Sequence, residues 1–264
     1  MLGYLLLVLR AIYGFRLVSD AHWLGVKAGH GNPRVQKLLD FHNSKVDMVI
    51  VTNDNHAKFI ESLGGHAAVC EDPLPVLPAP SLPAEALPEK SVFLVCSFDI
   101  DEPYEAVFQA FKALKDDGYV LYVSGNYRRA RVDPARFPWI RFLGFLPESE
   151  YYAYLWSCSV ILDLTTLEDC LVCGGYEALA AGKALVLSNT AAIQAYFGAG
   201  ALTTPNTEAA IGKSVVAAYE KKAELERKAG QWADDSVVKM DQRILHLKAM
   251  LSTLASEKNF QRAR

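Results

Sequence analysis

The sequence lacks a charge bias. Lys and Arg number 27 against 30 Asp and Glu, a formal net charge of −3. That balance gives no bulk attraction to nucleic acid, and no nucleic-acid partner is expected. Long hydrophobic runs are also missing. The longest opens the chain from Met1 to Leu9 and is broken by Arg10, well short of the roughly 20 apolar residues that a membrane-spanning helix needs. No basic residue stands ahead of it and no small-residue cleavage site behind it, so it does not read as a secretion signal. It reads as a buried helix; the alternative is an apolar surface that touches a membrane peripherally or meets a partner subunit. Glycine and proline, at 17 and 12, are too few for a collagen-like or low-complexity chain. Five cysteines, an odd number, suit thiols in a reducing compartment, so a cytoplasmic location is expected. At 51% hydrophobic and 22% charged residues the chain is not intrinsically disordered. Its length fits one large domain or two small ones.

What is present is an alternation of β-rich runs and helical stretches. The runs are Phe15–Ser19, Met48–Thr52, Ala67–Cys70, Val92–Ser97, Val120–Ser124, Arg141–Leu143, Val160–Leu164 and Leu185–Ser188. Helical spacing covers Pro33–His42, Asn55–Leu63, Glu102–Lys115, Glu148–Ser157, Tyr176–Ala181 and Glu208–Ala229. Near-continuous Val, Ile and Leu in the runs predicts parallel strands covered on both faces, an α/β fold. Six of the prolines fall between Pro73 and Pro88, which predicts an extended connector. The expected plan is therefore a small α/β domain over 1–72, a Pro-rich linker over 73–89, a fuller α/β domain over 90–220, and amphipathic helices over 221–264.

The densest local signal runs from Val160 to Asn189: a strand, a loop, a short helix and another strand. Ligands of open α/β sheets sit at the carboxyl ends of strands, where this loop lies. Gly174 and Gly175 let backbone approach a ligand, and the N–H groups that open the following helix favour an anion. Glu168, Asp169 and Glu177 flank the same point. Cys170 and Cys173 have the spacing of a redox or metal pair, but they supply only two ligands where zinc takes four. Gly125-Asn-Tyr-Arg-Arg is not a dinucleotide fingerprint. No metal site and no cofactor are expected.

The run from Asp169 to Ser188, DCLVCGGYEALAAGKALVLS, resembles the E-x7-E signature of GT-B glycosyltransferases, in particular the retaining, GT4-like group. Two other pieces follow in the family's order: LYVSGN at 121–126, and IRFLGFLPESEYYAYLWSCSVILDLT at 140–165. The segment FRLVSDAHW at 15–23 is similar to an N-domain strand that ends in His. The resemblance implies a GT-B-like fold, with a complete C-terminal Rossmann-like domain and a partial N-terminal one. It implies that Glu177 binds the ribose hydroxyls of a nucleotide, that Asp169 faces the donor sugar with Glu168 as a substitute, and that amides near Cys173, Gly174 and Gly175 meet the diphosphate. His22 corresponds to the family's histidine beside the transferred sugar. Gly125, Asn126, Arg128 and Arg129 complete the implied donor site.

The sequence also departs from the pattern. Glycines expected at positions 170 and 172 are Cys170 and Val172. Where a Gly-Arg and a Lys would meet the diphosphate, this chain has Asp99, Asp101 and Glu102, and Arg128, Arg129 and Arg131 are the substitute cations. The family's first strand and its glycine-rich acceptor loop are expected ahead of the present Met1. The expected function is transfer of a sugar from a nucleotide-sugar donor to a glycan or lipid-linked acceptor, with retention and without a metal, in polysaccharide or glycolipid synthesis. The alternatives are a catalytically degenerate nucleotide-sugar-binding subunit and a nucleotide-sugar epimerase on the same fold.

Overall fold

A computed structural model describes residues 2–27, 31–80, 83 and 85–262, with side chains as far as residue 256. The chain divides into two compact units, Met1–Pro73 with Val237–Arg264, and Leu74–Ser236.

In the first unit three parallel strands, β1 (Val18–Ala21), β2 (Met48–Val51) and β3 (Ala67–Val69), lie side by side in that order. Helices α2 (Trp23–Val26) and α3 (Pro33–Lys45) connect the first pair, and α4 (Asp54–Ser62) the second. Pro33 stands at the first position of α3, where its missing N–H is no loss, and Asn32 caps the helix by accepting from Arg34 and Val35. Val26, Val49, Val51 and Ile60 form the core. Beneath it Asp47 accepts from the Leu17 N–H at 2.8 Å and pairs with Arg10 and Arg16 at 2.6 and 2.8 Å.

The opening helix, α1 (Leu2–Tyr13), corrects an expectation. It has no buried residue. It packs on α3, where the Tyr4 ring stacks over Phe41 and the Tyr4 hydroxyl donates to the Leu38 carbonyl at 2.7 Å. Leu7 alone reaches toward the core. Leu2, Leu5, Val8 and Ile12 are exposed, because an apolar helix is buried only as far as it has neighbours. Among the described residues no helix is long and apolar enough to cross a membrane.

The second unit is a six-stranded, all-parallel sheet: β4 (Ser91–Leu94), β5 (Val120–Ser124), β6 (Ile140–Gly144), β7 (Val160–Asp163), β8 (Leu185–Ser188) and β9 (Leu202–Thr204). Their spatial order is β6-β5-β4-β7-β8-β9. The chain starts in the middle, builds outward one way, then returns and builds the other way. The order reverses between β4 and β7, which makes their carboxyl ends the natural crevice of the sheet. Helices α5 (Tyr104–Leu114), α6 (Glu148–Ser157), α7 (Cys173–Ala180), α8 (Ala191–Phe197) and α9 (Glu208–Glu220) follow the strands. Two cores, one around Phe108, Phe111 and Leu121, the other around Phe93, Leu155 and Phe197, fill the unit.

The Pro-rich segment is not a detached connector. The division falls just after Pro73, and Leu74, Leu77 and Leu87 pack against the second unit's core. The C-terminal stretch is one helix, α10 (Lys222–Arg262), whose start belongs to the second unit and whose remainder belongs to the first. In the first unit the α10 backbone carbonyl of Leu254 accepts from Arg16 at 3.0 Å, and Arg243 pairs with the buried Glu71.

Candidate functional site

A cavity of about 880 Å³ opens at the crevice between β4 and β7, within the size range of small-molecule sites. Three strand ends and the loops after them build its floor. β4 runs into Val95, Cys96 and Ser97, β5 into Gly125 and Asn126, and β7 ends on Asp163. Gly125 is required there. Its φ is +99°, and a Cβ at this position would lie 1.9 Å from the Cys96 carbonyl oxygen, so the two strand ends touch without a side chain between them.

Of the residues singled out in the sequence, Gly125, Asn126, Arg129, Cys173 and Gly174 line this cavity together. Arg128 turns toward the Tyr127 ring and lines a neighbouring hollow instead. Glu177 stands behind the wall. Its carboxylate accepts from the Tyr151 hydroxyl, and the Tyr152 hydroxyl is 3.5 Å away. Burial raises the Glu177 carboxyl above its ordinary range, and the tyrosine hydrogen bonds only partly offset this. Tyr151 itself lines the cavity. Glu168 is engaged at the start of α8, its carboxylate 3.4 Å from the Ala191 N–H. Asp169 and Gly175 are not among the lining residues. His22 follows β1 in the first unit, exposed, with Nδ1 3.6 Å from an Asp72 carboxylate oxygen.

Where the glycines stand differs from the expectation. Gly174 and Gly175 belong to the first turn of α7, which begins at Cys173 rather than at Tyr176. The Gly175 N–H donates to the Val172 carbonyl at 3.1 Å. The carboxylate of Asp163, the last residue of β7, lies against the same turn, where a Cβ on Gly174 would be 2.6 Å from it. Sequence reasoning passed over Asp163 because a single acid closing an apolar strand looks like an ordinary strand end. Only its place opposite α7 gives it meaning. It is buried and lines the cavity. Burial, and after it the charge of Glu102, push its carboxyl well above the ordinary range, against the pull of the Gly174 and Gly175 amides.

The acidic loop after β4 repeats the arrangement. The Glu102 carboxylate accepts from the N–H groups of Ser97 and Asp99 at 3.0 Å and from the Ser97 hydroxyl at 2.9 Å. Asp101 accepts from the Thr165 hydroxyl at 2.6 Å and so ties this loop to the one after β7. The lining therefore carries four carboxylates, Asp101, Glu102, Glu148 and Asp163, against one guanidinium, Arg129. They do not converge on one point: among the described residues no three acid, His or Cys side chains are grouped to hold a metal ion. Cys170 and Cys173 form no disulfide, and burial pushes the Cys170 thiol up to about 12, which makes it a poor nucleophile.

By sequence, the chain matches no family model and no curated protein. By structure it is similar to many solved chains. HepE of Anabaena, solved with UDP and glucose, superposes with a TM-score of 0.74 at 13% identity, over 94% of this chain and 75% of that one. Sucrose-phosphate synthase from Thermosynechococcus elongatus gives 0.73 at 17% identity, over 97% and 72%. The chain has the fold of the GT-B glycosyltransferases. The pneumococcal O-GlcNAc transferase GtfA, solved with UDP and GlcNAc, gives 0.67 at 13% identity, over 91% of this chain and 53% of that one. As a GT-B fold, the second unit supplies the six-stranded Rossmann-like sheet and the first unit a three-stranded one.

Proposed function

We propose that the chain is a glycosyltransferase that takes a sugar from a nucleotide-sugar donor and passes it to a glycan or lipid-linked acceptor with retention. One observation carries this reading: the cavity at the switch point of the second unit joins Gly125, Asn126 and Arg129 to the start of α7. The UDP and sugar in the structures of HepE and GtfA support it. In the reaction the bond between the sugar and the diphosphate breaks. A bond from the sugar to an acceptor hydroxyl oxygen forms on the same face, and the hydroxyl proton leaves with the diphosphate. Arg129 is the side chain placed to neutralise that leaving group. By the family resemblance, Glu177, held by its tyrosines, serves the ribose and Asp169 the sugar.

A second reading is favoured by the acidic lining, which opposes a diphosphate: binding without turnover, as a non-catalytic subunit. Both readings are tested by thermal unfolding against UDP-, GDP- and ADP-sugars and the free nucleotides. A ligand at about 100 times its dissociation constant adds about 2.7 kcal/mol. One nucleotide is expected to raise the melting temperature, and Glu177→Ala to weaken its binding by roughly 1–3 kcal/mol. Sugar transfer by the same protein then separates the transferase from the subunit. No stabilisation by any nucleotide defeats both.

A further inference from the structure

The feature that the proposed activity does not absorb is Asp163. The N-terminus of a helix that opens into a cavity is where an anionic ligand group binds, through free N–H groups and the helix dipole. In this protein that place is occupied from within. The buried Asp163 carboxylate lies against the first turn of α7: a Cβ on Gly174 would lie 2.6 Å from it and 2.9 Å from Val95. After the neighbouring strand β4, the Glu102 carboxylate accepts from the amides of Ser97 and Asp99. Carboxylates thus lie against the backbone that faces the cavity after both β4 and β7. The end of β5 differs: Asn126 accepts from the Arg129 N–H at 3.1 Å, and among the described residues Arg129 is the cation that lines the cavity.

We infer that Asp163 is the specificity-determining residue of this cavity: it holds the anion position at the start of α7, so that a ligand meets α7 with hydroxyls and places its phosphates against Arg129. This rests on the nucleotide-sugar reading for the ligand's identity, but not for the role of Asp163. A carboxyl group hydrogen-bonds sugar hydroxyls, and its ionised form repels a phosphate oxygen at short range.

The test is calorimetric titration at pH 8 with three probes, uridine, UDP and inorganic pyrophosphate, on the wild-type chain and on Asp163→Asn, Asp163→Ala and Arg129→Ala. Both Asp163 variants are expected to bind pyrophosphate at least about tenfold more tightly than wild type. Arg129→Ala is expected to lose about tenfold in UDP and pyrophosphate affinity and little in uridine affinity. Folded Asp163 variants with unchanged or weaker pyrophosphate affinity overturn the inference. So does an Arg129→Ala variant with undiminished affinity for UDP and pyrophosphate, which decides the matter even if the Asp163 variants do not fold. If neither uridine nor UDP binds any of the four proteins while the Asp163 variants gain pyrophosphate, the nucleotide reading falls and the role of Asp163 stands.

Discussion

At the scale of single residues, the chain uses carboxylates as internal ligands. Glu102 does so in the second unit, and Asp47 in the first. The Asp47 side chain is 3% exposed, while those of Arg10 and Arg16 keep 29% and 27%. Burial alone would raise its carboxyl. The Leu17 N–H and the two arginines outweigh burial and hold it below the ordinary range. A carboxyl whose folded value is depressed stabilises the fold above its unfolded value, about 3.9, and loses that contribution as pH falls through the folded value. Asp47→Asn is therefore expected to lower stability at pH 7 by roughly 2–3 kcal/mol, the scale of hydrogen bonds to a paired charge. Urea unfolding at pH 7 and again below pH 4 checks this, with the gap between variant and wild type closing at the lower pH. A gap of the same size at both would mean that shape, not charge, is what Asp47 supplies.

At the scale of elements, α8 and its cap make the clearest case. The helix has seven residues, and two side chains hold its start: the Thr190 hydroxyl accepts from the Ile193 N–H at 3.3 Å, and Glu168 lies beside Ala191. Thr190→Ala is expected to cost about 1 kcal/mol and Thr190→Ser much less, measured by chemical denaturation. Equal losses would point to the methyl group rather than the cap. Neither α8 nor β9 was legible in the sequence, since seven and three residues are too few to show a period. The runs VFLV and VILD were legible, because strands covered on both faces are apolar throughout. α6 was read to the residue, Glu148–Ser157, between Pro147 and the next apolar run. α7 was read three residues short, because paired glycines look like loop. Its first turn needs Gly174 because Asp163 and Val95 leave no room for a Cβ there.

At the scale of the molecule, the sequence showed the sheet that carries the site and the strand ends that floor it, but not the charge of the cavity. That charge depends on carboxylates drawn from four separate stretches, at 101–102, 148, 163 and, behind the wall, 177, and only the fold brings them together. The apolar helix α1 was legible too, but not its surroundings. Leu2, Leu5, Val8 and Ile12 on that helix are exposed, as are Leu38 and Phe41 on α3. The consequence is colloidal. The chain is isoelectric near pH 6.1, where little net charge remains to keep copies apart, and a contiguous oily flank is what attracts them. Light scattering is expected to show growing particles as a dilute solution is brought from pH 8 to pH 6, and Leu5→Lys to suppress them. Particles of one size throughout would mean that this flank is not sticky in water. A protein with such a flank is best handled on the alkaline side of neutrality, where mutual repulsion does the work that a covering surface would otherwise do.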